Sequence, residues 1–254
     1  MKTVIISLLS VLAISAGAQK LPNKQKQSLW APADIKIDGN ATEWKNQFQA
    51  YNKAVDLFYT VSNDDKYLYL TIRAKYQDII DKILRGGITL DIKPESSKSN
   101  DDLVSITYPI LEGTDMFMVT NKFASKHTAF EEAKDSLVNV NDLNVLFEAK
   151  EKLIAIKGIE SITEPAISVY NETGIKTAAL FDNETNFTYE LAIPLKYLKL
   201  PPGSVKLFKY HVKVNEAPEI SRSARNANVP PPPPVPMTTF ATTDFWGDYT
   251  LATK

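Results

Sequence analysis

Strict two-residue alternation runs through "VDLFYTV" (55–61), with Val55, Leu57, Tyr59 and Val61 on one face and Asp56, Phe58 and Thr60 on the other. That period predicts a half-buried β-strand. "YLYLTIR" (67–73) alternates in the same way, and the turn-rich "SNDDK" between the two predicts a hairpin. The period then changes. In "KYQDIIDKILRGG" (75–87), Ile79, Ile80, Ile83 and Leu84 recur at helical spacing, and the helix is expected to stop at Gly86 in a left-handed cap. "ITLDI" (88–92) returns to a strand.

Residues 95–150 break the rhythm with a Ser/Asn/Asp-rich stretch at 96–102, and read as an insertion or a set of long loops with a helix near 128–137. Strands resume in "KLIAIKG" (152–158), "AISVY" (166–170), "IKTAALF" (175–181), "FTYELAI" (187–193) and "VKLFKYHVKV" (205–214). In the last of these, Phe208, Tyr210, Val212 and Val214 oppose Lys209, His211 and Lys213, so one side is dry and the other wet. The segment 218–239 contains five consecutive prolines, Pro230 to Pro234, which cannot pair inside a sheet and predict an exposed loop. "FATTDFWGDYTL" then supplies a closing strand. Many short alternating strands and few helices predict an all-β fold: an antiparallel β-sandwich with a few short helices and long loops.

The start of the chain changes the setting. "MKTVIISLLSVLAISAGA" has one lysine, an apolar run from Val4 to Ile14 and the small triplet Ala16-Gly17-Ala18, the layout of a signal peptide over 1–18. An exported protein, periplasmic or extracellular, is expected, with a flexible polar leader over 19–33 and one domain over 34–254. No later apolar run is long enough to span a bilayer. With no cysteine anywhere, disulfides and thiolate chemistry are excluded, and stability must come from the packed core. Of the 29 basic residues Lys2 leaves with the signal peptide, so 28 face 30 acidic ones, and nothing steers the protein towards nucleic acid or anionic membrane.

"IKIDGNATEW" (35–44), "YTVSNDDKYLYLTIRA" (59–74), "YELAIPLKYL" (189–198) and "DFWGDYTLA" (244–252) resemble, in that order and spacing, the family 9-like carbohydrate-binding modules of exported proteins, particularly stand-alone versions from Bacteroidetes-type bacteria. The resemblance spans roughly residues 34–254 and implies a sandwich of the DOMON-like kind whose characterised members bind sugars. It also implies that Trp44, after the Asp38-Gly39 turn, packs inward as a first peg of the core, with a sugar contact as the alternative.

A sugar-binding surface needs an exposed aromatic ring for the C–H face of a pyranose and polar groups for its hydroxyls. Trp246, flanked by Asp244, Asp248 and Tyr249, is the leading candidate, with a closing-strand core residue as the plainer reading. Phe245 and Trp246 must point to opposite faces of a strand, so one of them should be exposed. Arg222 and Arg225, with Asn226 and Asn228 before the prolines, are candidate ligand contacts, and the proline-rich loop is a candidate contact for a protein partner. Asn63-Asp64-Asp65 is a candidate calcium contact, although a hairpin turn is the expectation. Because some relatives of the fold hold haem, His127, a methionine such as Met116 or Met118, or a lysine is a candidate axial ligand. No Gly-x-Ser-x-Gly elbow, phosphate-cradling glycine loop or His-Glu-x-x-His occurs, so a non-catalytic binding protein is expected.

Overall fold

Phe208, Tyr210, Val212 and Val214 are fully buried while Lys209 among them is exposed, so Leu207–Val214 has a dry and a wet face, whereas every residue of Phe187–Pro194 is buried and both its faces are covered. The core-facing sides of the strands meet each other. A computed structural model of the chain describes residues 20–94, 103–128, 139–200, 207–217 and 241–254, apart from the side chains of 126–128. In chain order these residues form β1 (Ala50–Asn52), β2 (Leu57–Asn63), β3 (Tyr67–Ala74), α1 (Gln77–Gly86), β4 (Ile88–Pro94), β5 (Val104–Tyr108), α2 (Gly113–Thr128) and α3 (Val140–Lys150). They continue with β6 (Leu153–Lys157), β7 (Ala166–Ser168), β8 (Lys176–Phe181), β9 (Phe187–Pro194), β10 (Leu207–Val214) and β11 (Thr243–Thr250).

The strands build two antiparallel sheets, a first in the order β1-β2-β3-β9-β8 and a second in the order β11-β10-β4-β5-β6-β7. This is the antiparallel β-sandwich that the alternation predicts. Aromatic rings span the gap: Tyr59 lies 5.0 Å from Phe245, Tyr108 stacks on Tyr189 at 5.3 Å, and the hydroxyls of Tyr59 and Tyr210 meet at 3.0 Å. Pairing hydroxyls inside the core satisfies groups that would otherwise be stranded there.

Residues 95–150 do more than loop. Val104, Ile106 and Tyr108 bury their side chains while Ser105 and Thr107 face outward, and β5 so formed lies between β4 and β6 inside the second sheet. Five residues of alternation are too few to stand out from an irregular sequence. Helices α2 and α3 follow, contributing Val119, Phe123, Leu143 and Phe147 to the core. The helix expected at 128–137 lies outside the described residues, except that Thr128 ends α2. Helix α1 forms as predicted, with Ile80, Ile83 and Leu84 buried, but its positive-φ residue is Gly87, whose N–H bonds to the Ile83 carbonyl at 2.7 Å. On α3, Asn144 caps the edge strand β8 like a short extra strand, its amide nitrogen donating to the Phe181 carbonyl at 2.9 Å and its amide oxygen accepting from the Phe181 N–H at 2.8 Å.

The segment expected as a flexible leader is docked. Gln25 donates through its side chain to the Val61 carbonyl and accepts from the Val61 N–H, both at 2.7 Å, and Trp30 bridges to Asn63. The Asn63 side chain joins three stretches of chain: its oxygen accepts from Tyr249 Oη at 3.0 Å and the Ala252 N–H at 2.7 Å, and its nitrogen donates to the Ala252 carbonyl at 3.1 Å. Tyr249 Oη accepts from the Leu29 N–H at 3.2 Å. Backbone groups without sheet partners are thereby satisfied through side chains.

The stretch around "DGNATEW" does not enter the sandwich. It lies over the outer face of the first sheet, where the fully buried Glu190 carboxylate accepts from the Asp38 and Gly39 N–H groups at 3.1 and 3.0 Å. Gly39 adopts φ 83° and approaches the backbone of Ala179 and Leu180 too closely for a side chain. Trp44, expected as a core peg, is therefore half-buried outside the inter-sheet core, with its indole nitrogen shielded from solvent. Burial pushes the Glu190 carboxyl up to about 8, against the pull of its two backbone donors, and burial likewise pushes Glu151 up to about 7.

Two predictions follow from these buried groups. Asn63→Ala should lower stability by about 2–3 kcal/mol in urea unfolding, because the Ala252 N–H and carbonyl lose their partners. A carboxyl whose folded pKa lies above its ordinary value of 4.5 favours folding most below about pH 4.5 and loses that advantage up to about pH 8. Glu190→Gln keeps an acceptor and cannot ionise, so its stability relative to the parent should rise between pH 5 and pH 8 by on the order of 2–4 kcal/mol. A pH-independent difference would disprove the assignment.

Candidate functional site

Register across the second sheet lines up Trp246 on β11, His211 on β10, Asp91 on β4 and Ser105 on β5, all on the face away from the core. Directly opposed side chains on one sheet face touch, and these do. The rings of Trp246 and His211 stack at 4.1 Å with 9° between planes. His211 Nδ1 lies 3.2 Å from Asp91 Oδ2, Lys213 Nζ lies 3.0 Å from the same oxygen, and Ser105 donates to Asp91 Oδ1 at 2.5 Å. Asp91 is only 2% exposed although it points outward, since these neighbours close over it. A carboxylate so enclosed needs those three partners to offset its lost hydration.

On its other side His211 Nε2 lies 3.1 Å from Asp244 Oδ1, within ion-pair reach but without hydrogen-bond alignment. The imidazole is thus held between two carboxylates and against an indole. Trp246 stands on an edge strand and is 37% exposed, with His211 against one face of the ring. Asp244 and Asp248 flank it on the same face of β11, and Lys209 lies 3.9 Å from Asp248. Gly247 between them allows the core to come close, because a Cβ there would meet the Tyr210 ring at 2.2 Å. The result is an upright aromatic surface rimmed by carboxylates and ammonium groups.

Ser105, Asp91 and His211 do not form a nucleophilic relay. The base of such a relay must touch the nucleophile, whereas here the carboxylate sits between hydroxyl and imidazole. The order suits holding a ring in place.

Among the residues expected from sequence, Trp246 and Asp248 share this surface. Tyr249 does not: β11 turns it inward, where it is 3% exposed, packs on Phe208 at 5.6 Å and ties down the leader. Its ring is a core group, since alternation puts it beside Phe245 rather than Trp246. Arg222 and Arg225, with the proline-rich loop, lie outside the described residues. Asp64, the candidate calcium contact, uses both oxygens within the hairpin: one accepts from the Lys66 and Tyr67 N–H groups at 2.7 Å, the other from Tyr69 Oη at 2.7 Å. Asn63 is likewise engaged, and no group of three metal-ligating side chains occurs among the described residues. Of the candidate haem ligands, Met116 packs against the core, Met118 is exposed, and the His127 side chain is outside the described set.

No protein-family model matches the chain, and no curated protein does. The site therefore rests on its own geometry.

His211, Asp91, Ser105 and Lys213 were not marked as a cluster by the sequence. One signal was present: an aspartate inside the otherwise apolar "ITLDI" has to find partners across the sheet. Which strands supply them depends on long-range register.

Trp246 should be nearly dispensable for folding and Phe245 should not. In urea unfolding, Trp246→Ala should cost about 1 kcal/mol, mainly the stack on His211. Phe245→Ala, which empties a core position, should cost about 3–5 kcal/mol.

Proposed function

We propose that this chain is an exported, non-catalytic carbohydrate-binding protein of the kind its resemblance to family 9-like modules implies. Sugar is held by stacking on Trp246. The observation that carries this reading is the Trp246–His211 stack at 4.1 Å on an edge strand, which keeps a large ring upright and partly open to solvent. The apolar C–H face of a pyranose packs against such a ring. Asp244, Asp248 and Lys209 beside it offer acceptors and donors for the sugar hydroxyls. The buried Asp91 supports the reading from behind, since it fixes His211 and so the orientation of the indole. With one ring face and few polar contacts, affinity should fall in the micromolar to millimolar range.

Binding of the purified chain to soluble and insoluble polysaccharides and their oligosaccharides tests this directly. At least one glycan should bind, and Trp246→Ala should weaken it by more than about tenfold while the chain stays folded, with no stability loss beyond the roughly 1 kcal/mol of the missing stack. Silence across the panel from well-folded protein would overturn the proposal in favour of a scaffold on the same sandwich.

A further inference from the structure

The opposite sheet carries a concavity that the Trp246 surface does not use. On the outer face of the first sheet, Ala192 lies between Tyr69 and Lys176 in register, and its small side chain leaves a dip between two long ones. Residues 35–37 run beside that dip, with Ile35 and Ile37 packed against Tyr69 and Ala192. Together they enclose a groove of about 300 Å³ lined by Tyr67, Tyr69, Ala192 and Lys176 from the sheet and Ile35, Lys36 and Ile37 from the covering segment. That volume is at the lower end of small-molecule sites and suits one six-membered ring with a substituent.

The aromatic wall is preorganised. Tyr67 and Tyr69 stand 5.9 Å apart, and the Tyr69 hydroxyl is held by Asp64 at 2.7 Å, so the rings do not have to be ordered by a ligand. Lys36 and Lys176 supply the charged groups of the lining: both are exposed, no carboxylate is among the lining residues, and neither lysine belongs to an ion pair among the described residues. The carboxylates next to the lining are turned to other donors: Asp64 to the Tyr69 hydroxyl and the Tyr67 N–H, Glu43 to the Lys36 N–H, Glu190 to the Asp38 and Gly39 N–H groups, and Asp38 to the Asn40 N–H.

We propose that this groove is a binding site for a small anion carrying a six-membered ring, a uronic acid or an aromatic carboxylate, with the ring against Tyr67 and Tyr69 and the carboxylate towards Lys176 and Lys36. The site is separate from the Trp246 surface and goes beyond the function proposed above.

Tyrosine-ring NMR shifts of the purified chain, titrated with glucuronate, benzoate, glucose and acetate at fixed ionic strength, test it. Glucuronate or benzoate should produce saturable shifts of Tyr67 and Tyr69, and which of the two does so identifies the ring. Glucose, lacking the charge, and acetate, lacking the ring, should bind at least about tenfold more weakly. Lys176→Gln, a change at an exposed position, should weaken the carboxylate several-fold. Ala192→Leu should abolish binding by filling the dip, and Trp246→Ala should leave it unchanged. Equal response to acetate, no saturable shift with either ring carboxylate, or unaltered affinity in Lys176→Gln would overturn the proposal, whatever the polysaccharide panel gives.

Discussion

One amide holds the two sheets and the leader in a common frame. Asn63 is 1% exposed at the end of β2, and its side chain reaches the last strand through Tyr249 and the backbone of Ala252, while its backbone receives the leader at Leu29 and Ala31. The Tyr249 hydroxyl and the Ala252 N–H and carbonyl converge on that one side chain, so the contacts support one another. The position of β11 depends on this node. So does the indole of Trp246, because alternation along β11 turns it outward when Tyr249 is fixed inward.

Buried polarity recurs on both outer faces and between the sheets. Glu190 holds the Asp38-Gly39 turn, Asp91 holds His211 and Lys213, and Tyr108 reaches Glu151 at the end of α3. Each fixes a chain segment that hydrophobic burial alone would leave free to slide, since apolar contact has no direction. The three carboxyls differ in their surroundings. Asp91 has a lysine and an imidazole against it. Glu190 and Glu151 have burial as their dominant influence, which raises their pKa values to about 8 and about 7.

The two candidate sites lie on opposite outer faces and are built differently. On the second sheet, an aromatic ring stands upright because a neighbouring strand supplies a flat partner for it. On the first sheet, a groove exists because an alanine sits between long side chains and a covering segment closes one side. One presents an exposed ring and the other a recess, and their polar groups differ accordingly: carboxylates and an ammonium group beside Trp246, lysines and tyrosines lining the groove with Asp64 behind Tyr69.

Residue order by itself determined the strands with long alternation, helix α1, the first hairpin, the sandwich class and that Phe245 and Trp246 face opposite ways, while which of the two faces outward was left to the fold. These depend on periods of two or about 3.6 residues, which are local properties of a chain. Strand β5 was illegible because its alternation lasts five residues between irregular stretches, and helices α2 and α3 because their apolar positions answer to the surrounding core. Tertiary structure alone decided that Trp44 lies outside the core, that Tyr249 ties down the leader, and that His211 stands between Trp246 and Asp91. All three depend on which strands become neighbours and in what register. A residue's own sequence context carries no record of a partner more than a hundred positions away.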